Sequence, residues 1–188
     1  MHMSLLSVVL LIMISKVYSN KINFDMQDPN HFGRYNLNFT RFELCSGLKS
    51  KNLTKIDIAL IPDKNTSYGH YNFTFLGPTL LEEVKIVVYS MKNGKINSVL
   101  WTYKLKDPCK HYALAAGINA YLKASRNCVV SKGTYVWDKR VEELYEPFFG
   151  TSFFYGEYLL KAQVLSKKGN VLCMYVGLWF TKKSGSKT

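Results

Sequence analysis

The chain has 188 residues, a length that suits one domain with a real hydrophobic core. Lys and Arg number 25 against 13 Asp and Glu, a net charge of +12. The lysines are scattered singly, with small clusters only at Lys167-Lys168 and Lys182-Lys183, and there is no basic helix or glycine-arginine tract. That distribution excludes a nucleic-acid-binding pattern and reads as a solvated basic surface, with attraction to anionic lipid headgroups or glycans as a minor alternative.

Leu5 to Ile14 is an apolar run too short to span a bilayer, followed by Val17-Tyr18-Ser19 in the pattern that a signal peptidase reads. The expected organisation is therefore a signal peptide over 1–19, one domain over 20–181 and a basic tail over 182–188. No second apolar run reaches transmembrane length, so the product is expected to be secreted. In an oxidising compartment Cys45, Cys109, Cys128 and Cys173 read as two disulfides and not as a metal site, because no CxxC pair is present. Three pairings are open. Four Asn-x-Ser/Thr sequons follow, at Asn38, Asn52, Asn65 and Asn72, and mark candidate glycosylation sites.

In chain order, Lys21 to Gly33 reads as an irregular lead-in. From there Tyr35, Leu37 and Phe39 alternate with polar residues and predict a half-buried strand. Ile56, Ile58 and Leu60 predict a second strand, and Tyr71, Phe73 and Phe75 a third. Val84 to Tyr89 and Ile96 to Leu105 flank Asn93-Gly94, a strong hairpin signal. Asp107 to Arg126 breaks the pattern: Asp107 can cap, Pro108 suits a first turn, and Ala113 to Ala124 favours one or two helical turns. Gly133 to Trp137 predicts a short strand. Tyr158 to Leu165 and Val171 to Phe180 predict a last hairpin, its second arm apolar on both faces. The sum is an all-β sandwich or barrel of about eight strands with one short helical insert.

Tyr145 to Tyr158 stands apart, because seven of its fourteen residues are aromatic, yet Pro147, Gly150 and Gly156 punctuate it as a loop. Phe148, Phe149, Phe153, Phe154 and Tyr155 either rim an apolar cavity or pack as ordinary core at one end of the sandwich.

Catalytic patterns are absent from the sequence. His31, His70 and His111 sit in no catalytic or metal-ligand spacing, and GxSxG, HExxH and phosphate-cradling glycine loops do not occur. The disulfides leave no thiol nucleophile. The expectation is a non-enzymatic protein without metal or cofactor.

The order of features resembles the MD-2-related lipid-recognition (ML) group, its ganglioside-activator branch, and within that the secreted insect CheB-type chemosensory proteins. The resemblance rests on Cys45-Ser46-Gly47, on Asp107-Pro108-Cys109, and on Cys128-Val129-Val130-Ser131-Lys132-Gly133-Thr134-Tyr135, which is similar to a family Cys-Pro-x-x-x-Gly-x-Tyr. Gly156-Glu157-Tyr158 and Lys168-Gly169-Asn170-Val171-Leu172-Cys173 complete it. It implies an immunoglobulin-like antiparallel β-sandwich opened into a β-cup, bridged by Cys45–Cys173 and Cys109–Cys128. Val129 in place of the proline, and fewer cysteines than ganglioside activators carry, remove any implication of ganglioside specificity. The implied function is binding of a lipid or hydrophobic small molecule by Phe73, Val88, Trp101, Leu160 and Val164 in the cavity, with the aromatic loop at its mouth. The implied partners are a receptor, an ion channel or a membrane surface. The competing reading is a secreted interaction module or inhibitor of venom type, with a filled core and no ligand. A cavity of several hundred cubic ångströms distinguishes the first from the second.

Overall fold

Segments of apolar–polar alternation, and one run apolar on both faces, become eight long strands in the computed structural model, which describes residues 30–63, 66–140, 143 and 149–183. The proposed signal peptide, Asn65, Phe148 and the tail beyond 183 lie outside the described residues. The elements are β1 (Phe32–Gly33), β2 (Tyr35–Leu44), β3 (Thr54–Asp63), β4 (Thr66–Phe75), β5 (Thr79–Leu80), β6 (Glu83–Lys92) and β7 (Lys95–Lys106). A 3₁₀ turn at Pro108–Lys110 leads into α1 (Tyr112–Leu122). The chain then runs through β8 (Val129–Val130), β9 (Gly133–Arg140), β10 (Phe153–Phe154), β11 (Gly156–Ser166) and β12 (Gly169–Lys182).

These strands form an antiparallel β-sandwich with a helical insert. One layer has the order β2-β12-β11-β6-β7 and the other β3-β4-β9, while β1-β10 and β5-β8 are two-residue ribbons. The layers come closest where β3 meets β2 and β12. The β6–β7 turn is set by Asn93 and Gly94, both in the left-handed region at φ 54° and 71°, which matches the twist of the strands it joins. Strand β12 is central, and its burial on both faces explains its unbroken apolar sequence.

The core has two parts. Tyr71, Phe73, Phe75, Leu81, Cys128 and Val130 fill the side under β4 and the helical insert. Val88, Tyr158, Met174, Val176, Leu178 and Phe180 fill the side on the larger sheet, and Phe42, Ile58 and Leu172 pack against both. Cys45–Cys173 joins edge strand β2 to central strand β12, and Cys109–Cys128 closes the insert, both with Cα atoms 5.0 and 5.5 Å apart respectively. Asp107 differs from its expected role. It adopts the left-handed conformation at φ 52° and makes no side-chain cap, and α1 starts instead at an uncapped His111. The 3₁₀ turn that follows Asp107 is closed by Lys110 N–H and His111 N–H donating to the Asp107 and Pro108 carbonyls, so the capping demand is met by backbone.

Asn170 pins the loop after β2 onto the last hairpin. Its Oδ1 accepts from Lys49 N–H at 2.9 Å, and its Nδ2 donates to the Lys49 carbonyl and to Asn52 Oδ1 at 2.5 and 3.0 Å. Gly47 leaves the space for this: a Cβ there would run into the Asn170 carboxamide. Asn170→Ala removes three hydrogen bonds and strands the Lys49 backbone groups, so urea titration is expected to show a loss of about 2–4 kcal/mol. Gly47→Ala is expected to lose a comparable amount by expelling the same side chain. A loss below about 1 kcal/mol in both would show that the loop is held by the disulfide and by the backbone bonds of Lys51 and Leu53 to Asn170.

Candidate functional site

On the inner face of the larger sheet, register places Trp101, Val88, Leu160 and Val176 in one row, with Tyr158 and Leu178 in the next. Leu178 and Phe180 are 0% and 1% exposed and form the floor. Trp101 and Leu160, although on the inner face, are only half-buried, as are Ile86, Tyr103 and Ala162 beside them. This side of the sandwich is therefore less tightly covered than the β12 side.

The aromatic loop supplies the cover. It is anchored by the β1–β10 ribbon, where Phe32 pairs with Phe154 and Gly33 with Phe153. Tyr155 N–H donates to the His31 carbonyl at 2.9 Å, its hydroxyl to the Arg34 carbonyl at 3.0 Å, and the Tyr35 hydroxyl to the Gly150 carbonyl at 2.7 Å. Gly150, at φ 66°, turns the chain where a side chain would strain it. Thus held, Phe153 lies 4.6 Å from Phe180 and 5.9 Å from Tyr158 by ring centroids. Phe149 packs edge-on against Phe153 and Phe180, both at 5.0 Å.

Val88, Trp101, Phe149, Phe153, Tyr158, Leu160, Leu178 and Phe180 enclose a cavity of about 20 Å³. Among the described residues no charged side chain lines it. The Tyr158 hydroxyl donates to the Phe154 carbonyl at 3.3 Å, and burial pushes its pKa up to about 12, so the lining stays neutral at physiological pH. The volume falls short of the several hundred cubic ångströms that would favour a preformed ligand cavity over a filled core. About 20 Å³ is roughly the room for one water, an order of magnitude below a preformed ligand pocket. The rings of Phe149 and Phe153 fill the space that the sheets leave.

Of the residues proposed from sequence, Val88, Trp101, Leu160, Phe149 and Phe153 come together here. Phe73 and Val164 do not. Phe73 stacks on Trp137 at 5.2 Å in the other core, where Trp137 is also stacked by Tyr71 and Tyr121, and Val164 packs against the same cluster. Phe154 turns toward Phe32 at 4.9 Å, and Tyr155 lies over Gly33, so neither lines the cavity. Tyr158, Leu178 and Phe180 complete the lining beyond the residues to which the sequence points. Tyr158 shares the face of Leu160 and was open to discovery by period two, whereas a strand apolar on both faces gives no face for Leu178 and Phe180.

A second depression, of about 110 Å³, lies against Arg41, Met91, Glu157 and Gly177 on the opposite face of the sheet. Arg41 is engaged there by Glu43 at 2.8 Å. Among the described residues no group of three or more His, Cys, Asp or Glu could hold a metal, and all four cysteines are in disulfides. His70 Nδ1 lies 2.7 Å from Asp138 Oδ1 on the outer surface of the smaller sheet.

No protein-family model matches the chain, and no curated protein matches it. Among solved structures it is similar to chicken MD-1 complexed with lipid IVa, at 11% identity over 77% of this chain and 97% of that one, with a TM-score of 0.37. At that level no residue is carried from that protein to this chain.

Proposed function

We propose that this is a secreted, non-enzymatic binding protein that admits a long apolar chain between its sheets by displacing Phe149 and Phe153. The observation that carries the reading is a wholly apolar cavity at the half-covered end of the sandwich, closed by two rings from a loop. That loop is held by a two-residue ribbon and three further hydrogen bonds, fewer than a long ladder supplies. Two disulfides support an oxidising compartment. The finer assignment, an ML-type lipid carrier in chemosensory signalling that meets a receptor, ion channel or membrane surface, rests on the sequence resemblance alone.

Energetics select the ligand. Exposing two phenylalanine rings costs about 3–6 kcal/mol, and association costs about 4 kcal/mol or more. At about 0.8 kcal/mol per buried methylene, roughly nine to thirteen methylenes are needed before binding is favourable. Hexadecanoic acid is therefore expected to bind and octanoic acid not to, measured by calorimetry below the micellar concentration of each. The cavity volume of about 20 Å³ favours a second reading, a protein-interaction module whose core is already full. Failure of both acids to bind, together with purified protein free of co-extracted lipid in native mass spectrometry, would establish that second reading.

A further inference from the structure

Trp179 is the exception in β12. It is 50% exposed, between two residues that are almost fully buried. Its cross-strand partner on β2 is Asn38, which is exposed and is followed by Phe39 and Thr40 in a sequon. Residues directly opposite in an antiparallel pair project to the same face with Cβ atoms about 4.5–5.5 Å apart. We infer that Asn38 carries an N-linked glycan and that its first N-acetylglucosamine lies on the Trp179 indole. The axial C–H groups of a pyranose make one sugar face apolar, and the electron-rich face of an indole suits it.

The other described sequons lack this arrangement. Asn72 faces Asp57 and Val136 across its two ladders, and its Oδ1 is buried without a partner. Asn52 bridges to Asn170, and its Oδ1 accepts from the Asn170 carboxamide. Among the described sequons only Asn38 has an aromatic ring directly opposite. In the attachment step, the Asn38 Nδ2 forms a bond to the anomeric carbon of a lipid-diphosphate-linked oligosaccharide. The carbon–oxygen bond to phosphate breaks, the lipid diphosphate leaves with the electron pair, and one Nδ2 proton passes to a base of the host transferase. The consequence for the fold is protection, since β2 is a sheet edge and a glycan there covers an exposed ring and blocks pairing with another chain.

The inference needs the secretory route but not the apolar ligand, so the two can fail separately. The test is expression of the full chain in secreting eukaryotic cells, glycopeptide mapping after enzymatic deglycosylation in heavy-oxygen water, and thermal unfolding of variants. Asn38 is expected to be occupied. Asn38→Gln is expected to lower Tm by about 2–4 °C, the shift that roughly 1 kcal/mol produces in a chain of this size. In a Trp179→Ala background the same substitution is expected to change Tm by less than about 1 °C, whereas Trp179→Phe, which keeps a ring, retains the effect. Acrylamide quenching of tryptophan emission is expected to rise when the glycan is lost. An unmodified Asn38, or an equal Tm loss with and without the Trp179 ring, would overturn the proposal.

Discussion

Replacing Cys45 and Cys173 together by alanine is expected to cost about 5 kcal/mol and to lower Tm by about 10–20 °C. The bridge spans 128 residues, so its loss frees the denatured chain over most of the domain. In the native state the pair ties β2 to β12 where Cys45 N–H already donates to the Cys173 carbonyl at 2.9 Å. The local geometry is therefore held by the ladder, and the cost arises mainly in the unfolded ensemble. The comparison is Cys109→Ala with Cys128→Ala, whose bridge spans 19 residues and whose loss is expected to cost about 3 kcal/mol. Urea titrations without reductant measure both. A larger loss for the short bridge would mean that the helical insert, and not chain entropy, dominates disulfide stabilisation.

The contrast between these bridges also shows what sequence reveals. Period-two alternation marks most of the long strands because each has one face against apolar neighbours, as with Tyr35, Leu37 and Phe39, whereas β12 shows only as an apolar run. Asn93-Gly94 fixed a turn because its backbone demands positive φ at both positions. Three things were not legible. The β1–β10 ribbon joins residues about 120 apart through two pairs, too short for any periodicity to register. Strand β12 hides its face assignment because both its faces are buried, which concealed Leu178 and Phe180 as the floor of the cavity. The cavity volume depends on the spacing of two sheets and on where the loop rings settle, and a residue pattern encodes neither. That is why Phe73 looked like a cavity residue: its alternation is correct for an inward position, but inward at β4 means the Trp137 stack.

The division between floor and lid yields the sharpest mutational contrast. Phe180 is surrounded by Tyr35, Phe149, Phe153 and Tyr158, with centroids at 4.9, 5.0, 4.6 and 5.8 Å. It is 1% exposed and belongs to a central strand that cannot shift to fill a void. Phe180→Ala is therefore expected to cost about 3–5 kcal/mol, at the level of the most damaging core truncations. Phe153 is only half-buried and sits on a two-residue ribbon that can move inward, so Phe153→Ala is expected to cost only about 1–2 kcal/mol. The functional effects diverge in the opposite order. Removing the Phe153 ring relieves about half of the displacement cost that a ligand meets, about 1.5–3 kcal/mol, equivalent to roughly two to four methylenes. The Phe153→Ala protein is expected to bind acids about two to four methylenes shorter than the shortest that the wild type binds, and calorimetry across the series reads the threshold directly. If Phe153→Ala proves as destabilising as Phe180→Ala and leaves the chain-length threshold unchanged, the ring is part of the core. The aromatic loop is then a plug, and the filled-core interaction module is the correct reading.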